Sequence, residues 1–237
     1  MATLAQGQVR GFSFWQKMTL GLGLFIVFGF LQFAARGFVD YTKVPVWLHV
    51  HGIVMLSWLT LSFVQSSLAQ GGNLALHRRL GWIGAGLAVA VVCLGSFIGI
   101  KAIQTGHLPP FFTPPYFLAL TQIGVLSFGT LVTAAILRRR QTEWHRRLML
   151  GALILIMEPA LGRLLPMPFL HGMGEWLVMV IQLGTLGIVM RHDRKTLGGI
   201  HPATATVALV IVLAHVLVET LAISSPVIAM AERLSGN

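Results

Sequence analysis

LSWLTLSFVQSSLAQGGNLALHRRLG, residues 56–81, decides the fold: an apolar run closes on a Gln-Gly-Gly-Asn turn, and a His-Arg-Arg triplet opens the next apolar run. A hydrocarbon core about 30 Å thick takes about 20 apolar residues in a helix, and arginines collect at its cytoplasmic boundary. The stretch therefore reads as the inner turn of a membrane hairpin. An echo follows, LSFGTL at 126–131 and WHRRLM at 144–149. Its first half is displaced by 70 residues and its second by 68, so the turns differ by two residues. A looser third copy has QLGTLG at 182–187 and RHDRKTLGGIHPAT at 191–204. His77, His145 and His201 each stand near the start of a returning helix, and duplication of a helix pair is the simplest origin of the pattern.

Outward from these turns, apolar spans are predicted at 18–35, 47–69, 81–103, 116–137, 147–165, 175–191 and 204–226. The predicted fold is all-α: one polytopic seven-helix transmembrane domain over residues 1–237, with three pseudo-repeated helical hairpins after the first helix. Hydrophobic residues make up 55% and charged ones 10%, with mean hydropathy +0.79, which leaves no room for a soluble domain. Trp15, Trp47, Trp82, Trp144, Trp176, Tyr41 and Tyr116 fall at or beside span ends, where amphipathic rings prefer to sit. Trp58 alone lies well inside. The first span follows a basic segment, but its run exceeds that of a secretory signal and Arg36 follows it, so a retained helix is expected.

Charge fixes the expected orientation. Arg10, Lys17, Arg78, Arg79, Arg138, Arg139, Arg140, Arg146, Arg147, Arg191, Arg194 and Lys195 put 12 of the 17 basic residues on one side. The positive-inside rule makes that side cytoplasmic, with the N-terminus inside, the C-terminus periplasmic, and the chain in the bacterial inner membrane. The net charge of +10 is spread over short juxtamembrane loops without an aromatic-interleaved patch, which argues against nucleic acid as a partner and for membrane lipids. A membrane-complex partner or a homo-oligomer is also compatible. Cys93 is the only cysteine, so an internal disulfide and a cysteine metal cluster are excluded.

LHRRLG after an early span, a second HRRLM, and the D-x3-LGG-x-HPAT string before the last span resemble a family of bacterial multi-pass membrane proteins carrying a domain of unknown function. The similarity runs from about His49 onward. WHRRLML is more weakly similar to small membrane proteins linked to maturation of haem-copper oxidases. The resemblance implies the membrane fold and supplies no catalytic residue.

Polar residues stand at similar depth in every span: Gln32, His51, Ser96, Gln122, Glu158, Gln182, and the pair His215 and Glu219. An ionised group near a helix centre costs roughly 2.5–3.5 kcal/mol, so such residues should face the bundle interior. At about 1.5 Å per residue, Glu158 stands roughly 16 Å above Arg147 and His215 roughly 20 Å above Pro202, in the outer half of the core. His215 and Glu219 are four apart and share a helix face, a spacing that suits two ligands of one metal or a carboxylate orienting an imidazole. His51 is preferred over His49, which is expected at the interface. Pro159 deprives a carbonyl of its helical donor beside Glu158 and kinks the helix there.

The predicted cofactor-binding set is thus His51, His215, Glu158 and Glu219, with His51, His215 and Glu219 as metal ligands. Gln32, Ser96, Gln122 and Gln182 are expected to hydrogen-bond between helices, and Arg163 to snorkel to the outer boundary or hold an anionic group. The cytoplasmic histidines His77, His145 and His201 are expected to cap helices or bind lipid phosphate. Haem b or a transition metal, in redox or cofactor handling, is the favoured reading. A proton or small-solute transporter, a metal-dependent membrane hydrolase, and a structural or assembly partner are the alternatives. The last span has no lysine for a retinal Schiff base, and P-loop and dinucleotide fingerprints are absent.

Overall fold

The computed structural model describes residues 11–109, 111–170 and 172–236, so Arg10, used above for orientation, lies outside the described residues. Among these the regular structure is all helical, with no strand. The helices are α1 (Phe14–Ala35), α2 (Val46–Gln70), α3 (Leu74–Gln104), α4 (Pro114–Leu137), α5 (Thr142–Leu155), α6 (Glu158–Leu164), α7 (Gly174–Leu197), α8 (Pro202–Ala222) and α9 (Ser225–Ser235), with a short 3-10 turn at Met167–Phe169. Six of them, α1, α2, α3, α4, α7 and α8, are long and apolar enough to cross a membrane, which marks a multi-pass membrane protein.

Local chemistry sets the ends. Ser13 and Gln16 form a reciprocal capping box on α1, and the Asn73 side chain caps α3, which starts well before the expected residue 81. Pro114 and Pro202 occupy the first positions of α4 and α8, where a missing N–H costs nothing. The expected continuous span at 147–165 is instead two helices. Residue 159 would donate to the carbonyl of Leu155, but proline has no N–H, so α5 ends at Leu155 and regular bonding resumes with Leu161 N–H donating to Met157. The expected last span, 204–226, stops at Ala222, and α9 follows as an amphipathic helix that the sequence reading missed. Its Ala231 is buried near Ile103 and Leu118, against α3 and α4.

The bundle centre lies where α4, α5, α7 and α8 meet, and α2 packs outside on α1 and α3. Close approaches use small residues. A Cβ added at Gly29 of α1 would stand 2.8 Å from that of Ala160 of α6, and one at Gly151 of α5 would stand 2.5 Å from a Val207 methyl of α8. Trp58, the tryptophan placed inside by its sequence position, is buried edge-on to Phe128 with ring centres 5.1 Å apart.

At the basic end, Arg147 and Asp193 are both fully buried. Arg147 donates from Nε to Asp193 Oδ1 at 3.0 Å and from Nη2 to the same oxygen at 2.5 Å, and it also pairs with Glu143 one turn earlier. Asp193 Oδ2 accepts from the Thr204 hydroxyl at 2.6 Å and from the His201 backbone N–H at 3.2 Å. One aspartate thus joins α5, α7 and the start of α8, and the HPAT string has a physical role. His201 Nδ1 caps α8 through the Ala203 N–H, Pro202 opens the helix, and Thr204 meets Asp193.

Candidate functional site

The polar chamber lies toward the opposite end of the bundle. Glu175 sits in the first turn of α7 and Gln182 two turns further on the same buried stripe. His215 and Glu219 come from the final turns of α8, Tyr116 from the first turn of α4, and Glu158 from the break between α5 and α6. One ligand atom each from Glu158, Glu175 and His215 lie within 4.8 Å of one another. His215, Glu175 and Gln182 are buried, and Glu158 is half-buried.

Hydrogen-bond roles can be assigned along a chain that begins at the helix break. The Leu155 carbonyl, left without a helical donor, only accepts, so it fixes the Gln182 amide with Nε2 toward it at 3.2 Å. Gln182 Oε1 then faces His215 Nε2 at 3.0 Å, and that nitrogen must carry the hydrogen. In the neutral ring the lone pair falls on Nδ1, 2.5 Å from Glu175 Oε1. Two acceptors cannot meet at that distance without a proton or a cation serving both. The Tyr116 hydroxyl lies 3.0 Å from Glu175 Oε2 and 3.3 Å from Glu219 Oε1, yet it has one hydrogen to give. Among the described residues no Lys or Arg forms an ion pair with Glu158, Glu175 or Glu219. With its carboxylates ionised the chamber has more acceptors than donors, so a proton or a cation has to sit among them.

The structure brings together three of the residues proposed from sequence: His215, Glu158 and, through Tyr116, Glu219. Glu219 shares a face with His215 but stands outside the group of ligand atoms within 4.8 Å. Gln182, expected as an interhelical bond former, is also the residue that orients the imidazole. His51 lies apart on the peripheral α2, outside that group, with Nδ1 buried and unbonded among the described residues. Ser96 and Gln122 clamp α3 to α4 with a 2.6 Å bond, and Gln32 donates to the Arg163 carbonyl at 3.1 Å, tying α1 to α6. Arg163 pairs with no carboxylate among the described residues; it lies over Phe30 and Phe33 and donates to the Pro159 carbonyl at 2.7 Å.

Glu175 and Tyr116 were missed because both sit at span ends, beside aromatic residues, where polar groups are ordinary. A signal was present: Glu175 precedes Gln182 by seven residues, two helical turns, and so continues its stripe. No protein-family model, curated protein or solved structure matches the chain, so what the chamber does is argued from its own chemistry.

Proposed function

We propose that the chain is a seven-crossing protein of the bacterial inner membrane that holds one divalent transition-metal ion through Glu158, Glu175 and Nδ1 of His215, for redox chemistry or cofactor handling. The observation that carries the proposal is the 4.8 Å grouping of those three ligand atoms. Bonds of about 2.0–2.2 Å place the ligand atoms of one ion about 3.0–4.4 Å from each other, so the group would take an ion by drawing in its longest separation by a few tenths of an ångström and opening the 2.5 Å Nδ1–Oε1 contact by about 0.5 Å. The ion would take the place of the proton that the Nδ1–Oε1 contact requires. Gln182 would serve as the outer partner that sets the imidazole tautomer, with Tyr116 and Glu219 completing the wall. A metal ion suits the chamber better than haem b, because the group offers one imidazole and His51 stands elsewhere.

In this reading α5 and α6 together make the fifth crossing, the N-terminus is cytoplasmic and the C-terminus periplasmic. The three hairpins are duplicated units. His77 Nδ1 bonds the Gln65 carbonyl and His145 Nδ1 the Ala135 carbonyl, at 3.3 and 2.9 Å. The histidines are 68 residues apart and the carbonyls 70, the same displacements as the sequence echo, which supports duplication.

Elemental analysis and an absorption spectrum of protein purified in mild detergent test the site. About one ion per chain, lost in Glu175→Gln and His215→Ala, is the expected result. Absence of both a metal and a Soret band overturns it and leaves the second reading, proton or small-solute transport. That reading is favoured by the continuous hydrogen-bonded path Tyr116–Glu175–His215–Gln182–Leu155. Proton uptake in liposomes by the parent and by Glu158→Gln would then decide.

A further inference from the structure

Two of the inner histidines stand beside each other. His77 and His145 come from the two HRR copies, at the starts of α3 and α5, yet their rings meet across the basic end with centres 6.3 Å apart and planes at 88°. Each Nδ1 faces a backbone carbonyl, Gln65 for His77 and Ala135 for His145. A carbonyl only accepts, so both Nδ1 atoms carry hydrogen and both neutral rings keep their lone pair on Nε2. Neither Nε2 has a hydrogen-bond partner among the described residues. An imidazole whose far nitrogen is anchored to a carbonyl is the arrangement that orients a histidine for a metal. With metal–nitrogen bonds of about 2.0 Å, two imidazoles on opposite sides of one ion place their ring centres about 6.2 Å apart, so the 6.3 Å between these ring centres is within the reach of one shared ion.

We infer that His77 and His145 form a second metal site, at the cytoplasmic end, that takes a single copper(I) ion between their Nε2 atoms. The donor set selects the ion. Two neutral imidazoles supply nitrogen with no thiolate, since the one cysteine, Cys93, lies within α3 well away from its start. No carboxylate bonds either ring, and Arg78, Arg79 and Arg146 neighbour the pair in sequence, which disfavours a highly charged ion. Copper(I) carries one positive charge, accepts imidazole and is stable with two ligands in line; zinc and iron(II) require more donors. The site is independent of the outer chamber and stands or falls without it.

The test is an anaerobic copper(I) titration of the full-length protein in detergent against a colorimetric copper(I) chelator. The parent and His215→Ala are expected to compete for one equivalent per chain that the His77→Ala/His145→Ala double variant does not hold. Equal stoichiometry in parent and double variant overturns the site. X-ray absorption of the parent loaded with one equivalent reads the site without relying on a variant that has to fold. Two nitrogen ligands at about 2.0 Å support the inference, and sulfur ligation or a four-ligand shell overturns it.

Discussion

The Gln182 side chain donates to the Leu155 carbonyl at 3.2 Å, the backbone acceptor that Pro159 leaves without a helical partner. The break in one helix therefore sets the tautomer of a histidine on another, because the same amide presents its oxygen to His215 Nε2. Replacing Gln182 by Leu removes both bonds at once. Thermal unfolding in detergent should show a loss of about 1–3 kcal/mol from the orphaned carbonyl. Metal affinity should fall about 10–100-fold. Unchanged metal affinity in Gln182→Leu would mean that the imidazole is oriented by something else.

Pro159→Ala separates the two effects. Alanine returns an N–H to the Leu155 carbonyl and frees the Gln182 amide to turn. The variant should be at least as stable as the parent, yet bind metal more weakly by about the factor seen when an outer-shell partner is lost. Parallel unfolding and metal-titration curves for parent and variant check it.

Arg147 and Asp193 form a buried pair; removing the arginine strands a buried carboxylate, whereas removing the aspartate leaves the guanidinium with Glu143. Arg147→Met should cost about 3–5 kcal/mol and Asp193→Asn less, because Glu143 still holds the guanidinium, while Arg147→Met/Asp193→Asn should cost less than the two losses added. A double-mutant cycle on detergent unfolding midpoints measures the coupling, and additive single losses would contradict the pairing.

Ser96→Ala should cost little, about 0.6 kcal/mol, the average for a hydrogen bond between membrane helices. Its bond to Gln122 is short at 2.6 Å, but both side chains are only half-buried. A loss as large as that of Arg147→Met would assign this clamp a structural weight its surroundings do not suggest.

Gly151→Val places new methyl groups against Val207 where even one added Cβ stands 2.5 Å away. Overpacking of this kind costs about 1–3 kcal/mol. Because α5 leads into the break at Glu158 and α8 carries His215, metal occupancy should fall with it; a variant with lowered stability and full occupancy would uncouple the two.

The membrane fold was legible because apolar runs of helical length and basic turns are carried by composition over twenty residues at a time. The chamber was legible only where a polar residue interrupts such a run, as Glu158, Gln182 and His215 do. Glu175 and Asp193 escaped because each sits near an end of α7, where charge needs no explanation. Yet Glu175, Val178, Gln182, Leu186, Val189 and Asp193 are the stripe of that helix that faces inward. Spacing marks the stripe; which end residues on it find partners depends on α5 and α8, which no local pattern in α7 records. His51 shows the converse. It interrupts an apolar run, but α2 is peripheral and buries only Trp58 and Leu59 fully.

Arg147 and Asp193 lie 46 residues apart in the chain, so the ribosome delivers them separately. At the usual elongation speed the arginine emerges roughly 2–9 s before its main counter-ion exists. Glu143, four residues upstream, is made before the arginine and bonds the same guanidinium in the folded chain, so an acidic neighbour is at hand throughout that interval. The guanidinium thus has a counter-ion before α7 is made, and a chain lacking Glu143 should yield less folded protein than the parent.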